Sequence, residues 1–333
     1  MNVRASIGAL LLGALLMRDA IMPCAEAQEL FRPADSSLSG PLISSKTGME
    51  TAWDLPKNPL TDPLPPDTSL ARRIISGYRI FTDTPRKARR LTGNSLSCNN
   101  CHLNAGQREK AMPLVGVAGV FPEYSKRAGR QLSLEDRIVG CFVRSEDAPR
   151  LPRSGERVAS MGDNAIVSDT AAEVRALASY ITWVSEGFQS GSKLPWRGQN
   201  TIPQDQQVPV KDLDTRKGRT LFRAKCTACH GVDGQGVRIG DKKAGPLWGP
   251  QSWNDGAGAA RVYTLAGMIL YMMPYLDIGS LTAEEAQSIA AYIDSKPRPR
   301  FPHKERDYAA AKVPPDAVYY RSARSAPDTA GRR

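Results

Sequence analysis

Cysteine and histidine recur together at two places in the chain, with the same spacing. Residues 98–102 read Cys-Asn-Asn-Cys-His, and residues 226–230 read Cys-Thr-Ala-Cys-His. Two thiols on one helical turn can bond to the two vinyl groups of a haem, and the neighbouring histidine can then bind its iron. The repeat therefore predicts two covalently bound haem c groups. Their predicted attachment and ligand residues are Cys98, Cys101, His102, Cys226, Cys229 and His230.

A Cys-x-x-Cys pair can instead be half of a zinc site or a redox-active disulfide. The chain has six cysteines and three histidines, and the two motifs use four and two of them. Cys24, Cys141 and His303 remain, which are too few to complete zinc tetrahedra at both motifs. The residue count therefore favours haem at both motifs.

The N-terminus has the pattern of a secretory signal peptide. Arg4 precedes an apolar run over residues 7–17, and Ala-Glu-Ala at residues 25–27 fits a cleavage site. The run is shorter than the roughly 20 apolar residues of a membrane-spanning helix, and no later stretch approaches that length. Cys24 could carry a lipid, but the proline before it is not the small residue expected there. We therefore predict a signal peptide over residues 1–27, a periplasmic protein and no membrane span.

The charge of the chain indicates the kind of partner to expect. Lys and Arg outnumber Asp and Glu by 45 to 34, a formal net charge of +11, of which the haem propionates would offset part. A basic surface attracts anions. Small anions or an acidic redox protein, rather than nucleic acid, are the expected partners of an exported haem protein.

Helical patterns surround both motifs in the same order. Before the first motif, a helix capped by Asp67 or Thr68 carries apolar residues at spacings of three and four, namely Leu70, Ile74, Ile75, Tyr78 and Phe81. After each motif, a Thr-x-x-Glu capping box predicts a helix that ends in Tyr-Ile, over residues 170–181 and 282–293. This repeat predicts a mainly α fold with one domain for each haem.

The remaining segments complete the predicted organisation. The first haem domain would comprise residues 28–187, beginning with an extended Pro- and Ser-rich strap over residues 28–66. A linker over residues 188–212 would lead to the second haem domain, residues 213–300. Residues 301–333 are predicted to form a surface tail, disordered from Arg321 onward.

The second motif is followed by residues that suggest its sixth iron ligand. Met273 precedes Pro274 just before the closing helix, and together with Gly231 and the Gly-Pro-Leu-Trp-Gly run at residues 245–249 the module resembles a class I cytochrome c. The resemblance implies that Met273 binds the iron and that the carbonyl of Pro246 accepts a hydrogen bond from His230. Met272 is expected to pack in the core.

No Met-Pro pair stands at the corresponding place after the first motif, so its sixth ligand stays open. Cys141 lies on a helix that Ser133 and Asp136 can cap, and it is either a buried structural thiol or a reactive one. Arg137 and Arg144 could stabilise a thiolate or an anionic adduct there. Met161 competes as ligand because it lies nine residues before Thr170, as Met273 lies nine before Thr282. With Met161 as ligand, the protein would be a non-catalytic dihaem electron carrier.

Several segments resemble the dihaem c-type thiosulfate dehydrogenases, which form tetrathionate: GNSLSCNNCHLNAG, FPEYSKRAGR, DRIVGCFVRS, KCTACHGVDGQG and GPLWGPQSWNDGAGAAR. The resemblance implies an enzyme that oxidises two thiosulfate ions and passes two electrons to an external redox protein, such as a small cytochrome c or a high-potential iron–sulfur protein. It implies His102 and Cys141 as ligands of the first iron, and His230 and Met273 as ligands of the second. It also implies a substrate site formed by Cys141, Arg127, Arg137 and Ser145.

One stretch departs from the family pattern. Where the family commonly reads Ser-Met-Asn-Gly, this chain has Ser145-Glu146-Asp147-Ala148. Two carboxylates are therefore expected near a site meant for an anion. A different sulfur anion, or reduction of tetrathionate, remains an alternative because the same residues would serve those reactions.

Overall fold

The computed structural model describes residues 57–149, 171–188, 191, 193–239, 242–302, 304–309 and 311–321. The predicted signal peptide, most of the predicted strap, Met161, Thr170 and His303 lie outside these ranges. None of the helices within them is long and apolar enough to cross a membrane.

The described residues are mainly helical. The helices are α1 (Thr68–Thr82), α2 (Thr84–Lys87), α3 (Cys98–Cys101), α4 (Leu103–Gly106), α5 (Leu134–Arg144), α6 (Ala172–Val184), α7 (Thr215–Lys225), α8 (Thr227–His230), α9 (Val262–Met272), α10 (Ala283–Asp294) and α11 (Val318–Arg321). Short 3-10 turns occupy Arg89–Leu91, Val117–Val120, Gln204–Gln206, Val210–Asp212, Gly258–Ala260 and Lys304–Arg306. Two antiparallel hairpins pair β1 (Glu123–Ser125) with β2 (Arg130–Leu132) and β3 (Arg238–Ile239) with β4 (Lys242–Lys243).

The first half is organised around the crossing of α1 and α6. Asp67 caps α1 as predicted, accepting hydrogen bonds from two backbone amides, and its apolar face buries Ile74 and Phe81. The helices meet at Gly77, where a Cβ atom would collide with the Ala176 carbonyl. Phe81 packs on Tyr180 with ring centroids 5.7 Å apart.

The second half repeats this crossing with α7 and α10. Gly218 faces the backbone of Ser288, and a Cβ atom there would collide with the Ser288 carbonyl. Phe222 packs on Tyr292 with ring centroids 5.6 Å apart. The matching glycine, phenylalanine and tyrosine confirm the two cytochrome c-like halves predicted from the sequence repeat.

The two closing helices begin differently. The capping box of α10 forms as predicted, with Thr282 and Glu285 each bonding the other's backbone amide. In contrast, α6 begins after Ala171, which provides no side-chain cap. The predicted box at Glu173 is wrong, because both carboxylate oxygens of Glu173 accept hydrogen bonds from Arg90 instead.

The segments after each half are packed against the body of the protein. Within residues 188–212, Leu194, Trp196 and Ile202 are buried, and the Trp196 indole donates to the Val115 carbonyl at 3.1 Å. The surface position predicted for the tail is wrong over its described part, which buries Phe301, Lys304, Asp307, Tyr308, Ala317, Asp316 and Tyr320. Aromatic side chains with charged partners in the core hold this tail in place.

The two halves share parts of their hydrophobic cores. Phe301 of the tail packs in the first core with Phe142 and Tyr180. Leu96, which precedes the first motif, packs in the second core, together with the partly buried Cys101. The first attachment segment therefore lies at the junction of the two cores.

Candidate functional site

The first motif is held by hydrogen bonds on both sides. Ser97 caps α3 in a box with Asn100, and the Cys98 amide donates to the Thr84 hydroxyl at 3.1 Å. Burial, with the carboxyl of Glu146 nearby, raises the pKa of Cys101 to about 12. Because Cys98 begins α3 and Cys101 ends it, both thiols lie on one short helical turn, as attachment to a haem requires.

His102 follows directly and is oriented by one contact. Its Nδ1 lies 2.7 Å from the Met112 carbonyl oxygen, so that Nδ1–H donates and Nε2 is left for an iron. Burial lowers the pKa of His102 to about 4. The imidazole is therefore neutral, which is the form that binds a metal.

The second motif has the same arrangement with a different acceptor. His230 Nδ1 lies 3.2 Å from the Gly245 carbonyl, so the prediction that Pro246 supplies this carbonyl is wrong by one residue. The peptide bond before the proline, rather than the one after it, faces the imidazole. Burial lowers the pKa of His230 as well.

Other buried groups fit a haem in the second half. Among the described residues, Ser252 Oγ, Trp253 Nε1 and Arg298 Nη1 are buried without a hydrogen-bond partner. The Arg298 guanidinium lies 4.8 Å from the centroid of the Trp253 ring. These atoms are donors, which suit the carboxylates of haem propionates. No group of three His, Cys, Asp or Glu residues in the described ranges could hold a metal ion.

Met273 lies at the end of α9, where the second half would need an iron ligand. It is partly buried and packs against the second core. Met272 is buried in the same core, which is the packing role expected for it.

Cys141 and Arg137 are brought together on α5. The helix begins with the predicted capping box of Ser133 and Asp136. One turn separates the two site residues, and Arg137 Nη1 donates to Cys141 Sγ at 3.1 Å. Cys141 also contributes to the electrostatic surroundings of Cys98 and Cys101, so this thiol lies beside the first attachment site.

Ser145 ends the same helix, one turn after Cys141. Its amide donates to the Cys141 carbonyl at 2.7 Å, and its own carbonyl accepts from Asn94. The helix end thus fixes the distance between these two predicted site residues.

Arg127 is fixed through the tail rather than through Cys141. Its Nε donates to the Tyr308 hydroxyl at 3.1 Å, and its Nη1 donates to the Gly256 carbonyl at 2.7 Å. Arg144 donates to the same carbonyl. Arg127 therefore stands near the end of α5, held by residues from the second half of the chain.

Arg144 does not serve the Cys141 thiol as the sequence suggested. It forms a buried ion pair with Asp307, with both nitrogen–oxygen contacts at 2.7 Å. Sequence reasoning missed Asp307 and Tyr308 as supports of the site. Both lie in the tail stretch RPRFPHKERDY, residues 298–308, which also resembles the thiosulfate dehydrogenases.

Neither of the two carboxylates expected to oppose an anion is exposed. Glu146 is 3% exposed, and burial raises the pKa of its carboxyl well above the usual range. Burial therefore disfavours its charged form. The Asp147 carboxylate accepts a hydrogen bond from Asn254 at 2.8 Å, and burial raises its pKa too.

Comparisons with known proteins agree with this geometry. The family model described as SoxA/TsdA, cytochrome c domain, matches residues 88–189, and that described as cytochrome C oxidase, cbb3-type, subunit III, matches residues 213–293. The chain is 37% identical to a thiosulfate dehydrogenase of Allochromatium vinosum, over 71% of this chain and 82% of that protein. It is 31% identical to one of Psychrobacter arcticus, over 88% and 83% of the two chains.

A solved structure gives the same result. A thiosulfate dehydrogenase (TsdBA) of Marichromatium purpuratum, in its as-isolated form, superimposes with a TM-score of 0.62 at 32% identity. The superposition covers 74% of this chain and 50% of that one.

Proposed function

The chain belongs to the thiosulfate dehydrogenase family and is an enzyme that oxidises thiosulfate with two covalently bound c-type haems, and we propose that it joins two thiosulfate ions into tetrathionate at Cys141. We place the reaction in the periplasm, after removal of residues 1–27. The catalytic domain would be residues 28–187, and the electron-exit domain residues 213–300. The observation that carries the proposal is the contact between Arg137 and the Cys141 thiol at 3.1 Å, beside the first attachment site.

When bound, the two haems supply two one-electron acceptors, which together match a two-electron oxidation. His102 and Cys141 would hold the first iron, and His230 and Met273 the second. A methionine ligand raises the reduction potential of a haem iron, whereas a thiolate donates electron density to it. Electrons would therefore leave through the second half.

The arginines would bind the sulfonate end of thiosulfate. A guanidinium presents planar N–H groups that match an oxyanion, and Arg137 is exposed on α5. Arg127, held by Tyr308 and Gly256, would approach from the other side of the site. Ser145 adds a neutral donor. Because burial disfavours the charged form of Glu146, this carboxyl opposes an anion less than an exposed one would.

The chemistry would take place on the sulfur of Cys141. The sulfane sulfur of one thiosulfate bonds to Sγ of the thiolate, and the pair loses two electrons as Cys–S–S–SO₃⁻ forms. The sulfane sulfur of a second thiosulfate then attacks the outer sulfur of this adduct. The Cys–S bond breaks, tetrathionate leaves and the Cys141 thiolate is restored.

The electron acceptor would dock on the second half. Exposed apolar residues follow both of its ligand segments: Val232 after His230 is 80% exposed, and Leu276 after Met273 is 91% exposed. A cavity of about 580 Å³ beside Val232 has a basic lining that includes Arg219, Arg223 and Lys296. An acidic redox protein, such as a small cytochrome c or a high-potential iron–sulfur protein, fits such a surface.

Steady-state kinetics with an artificial acceptor test the proposal. Cys141→Gly should abolish thiosulfate-dependent reduction of the acceptor while the pyridine haemochrome assay still counts two haems. Met161→Leu is the matched control and should leave turnover intact.

Full activity of Cys141→Gly would contradict the proposal, and loss of activity in Met161→Leu would favour Met161 as the ligand. Assays with tetrathionate and a reduced donor would show whether the reverse reaction is faster.

A further inference from the structure

Gly245 touches both haem attachment segments. On one side, its carbonyl is the hydrogen-bond acceptor of His230. On the other side, its Cα faces the first segment, where an added Cβ atom would lie 2.6 Å from Leu96 Cδ2 and 3.4 Å from Asn100 Cγ. Asn100 is one of the two residues between Cys98 and Cys101. A single glycine therefore separates the first motif from the histidine of the second.

Hydrogen bonds hold the segment before Cys98 in place and connect it to the second half of the chain. The Ser97 amide donates to the Asn100 side chain at 2.7 Å, and the Leu96 amide donates to that of Asn94 at 3.1 Å. Asn94 in turn donates to the Ser252 carbonyl at 3.1 Å. The segment around Leu96 is thus tied to residues that follow Gly245 in the chain.

Leu96 has little freedom to move away. It is 3% exposed and packs in the second core. A Cβ at 2.6 Å from Leu96 Cδ2 is well inside the roughly 3.5–4.0 Å that is optimal for two carbon atoms, so an alanine here would clash with Leu96 and force the two segments apart. Overpacking of this kind is relieved by moving backbone.

We propose that Gly245 is a positioning residue that holds the two haem attachment segments in contact and so sets the rate of electron exchange between the two halves. The proposal rests on the proposed function, in which unlike axial ligands give the halves different potentials and spectra. Electron transfer through protein becomes steeply slower with distance, so a small separation of Asn100 from His230 should be measurable. The chain uses the missing side chain of glycine to bring the segments this close.

Flash photoreduction of the holoprotein tests this without thiosulfate. An external photoreductant injects one electron, and the absorbance of the two haems then reports its redistribution. Gly245→Ala should slow this redistribution several-fold. Gly258→Ala is the matched control, because a Cβ there would meet nothing within 4 Å, and it should exchange electrons at the wild-type rate.

Two further variants distinguish a change in the spacing of the two segments from a general folding defect. Leu96→Ala opens a gap at the same contact without a clash and should also slow exchange. In the double variant, the new methyl group of residue 245 fills that gap, so the rate should return towards the wild-type value. This pair keeps the test decisive if Gly245→Ala alone does not fold.

Spectroelectrochemical titration of every variant completes the experiment. Because Gly245 also bonds to His230, a change in rate explained fully by a shifted potential would overturn the positioning role. Wild-type exchange rates in both Gly245→Ala and Leu96→Ala would overturn it as well. Neither result would affect the Cys141 chemistry, since photoreduction does not require substrate turnover.

Discussion

The two halves of the molecule have the same helix crossing but different surroundings for their haems. Gly77 with Tyr180 and Gly218 with Tyr292 make equivalent close contacts between the first and last helices of each half. The surroundings of the two motifs differ, since Arg137 contacts Cys141 in the first half, whereas Met273 packs against the core of the second half. The same pair of crossed helices therefore serves both halves. What distinguishes the halves is a small number of residues, including Arg137 and Cys141 on α5.

The halves also differ in what covers them. The first half is covered by the tail, through Arg127 with Tyr308 and Arg144 with Asp307. The second half instead exposes Val232 and Leu276 near its ligands. The end of α5 is therefore covered by the tail, whereas these apolar residues of the second half are open to solvent.

The largest expected loss of stability comes from removing the Arg144–Asp307 ion pair, which joins the tail to the first half. Arg144→Met leaves Asp307 buried without its partner, which should cost about 3–5 kcal/mol of unfolding free energy. Urea unfolding measures this loss. Arg90→Met is the control, because the Arg90–Glu173 pair is largely exposed on its arginine side and such pairs contribute about 1 kcal/mol or less. Equal losses of unfolding free energy in the two variants would contradict the role of the Arg144–Asp307 pair in holding the tail against the first half.

The shared crossing predicts equal damage in the two halves. Gly77→Ala and Gly218→Ala each force a methyl group against a backbone carbonyl, and each should lower the unfolding free energy by about 1–3 kcal/mol or more. Thermal unfolding followed by circular dichroism compares them. A large effect in one half only would show that the crossings are not equivalent.

A buried carboxyl makes the second half sensitive to pH. Asp294 at the end of α10 is paired with Arg298, and burial raises its pKa from 3.8 to about 7. The folded state therefore holds a proton that the unfolded state releases, so stability should fall as pH rises from about 4 to about 7. The matching residue of the first half is the exposed Thr182.

Asp294→Asn should flatten this part of the stability profile in urea titrations at several pH values. A variant with an unchanged slope would exclude Asp294 as its origin.

The smallest effect should come from the caps of the closing helices. Thr282→Ala removes the cap of α10 and should cost about 1 kcal/mol, whereas Ala171→Ser supplies the cap that α6 lacks and should gain a comparable amount. Chemical denaturation measures both. If neither variant changed the unfolding free energy, the difference in helix capping between the halves would not affect stability.

The features that sequence predicted well depend on residues close together in the chain. The two haem motifs, the Asp67, Ser133 and Thr282 caps and the paired closing helices belong to this group. The wrong predictions concern partners that folding brings from far away. Glu173 bonds to Arg90 instead of capping α6, and no local pattern indicated that pairing.

The charges of the site illustrate the same limit. Glu146 looks like a surface carboxylate in the sequence, yet it is buried, and burial raises the pKa of its carboxyl. Arg144 looks like a neighbour of Cys141, yet Asp307 of the tail, 163 residues away, is its partner. Protonation and pairing of this kind depend on tertiary packing, which spacing alone does not reveal.

Trapping the covalent adduct tests the central claim most directly. Oxidised protein mixed with one equivalent of thiosulfate and quenched in acid should yield a Cys141 peptide that carries an added S–SO₃ group, and a second equivalent should remove it as tetrathionate appears. Peptide mass spectrometry measures both steps, with Cys141→Ser as the unmodified control. Tetrathionate formed while the Cys141 peptide stays unmodified throughout a single turnover would contradict the role of Cys141 as sulfur carrier.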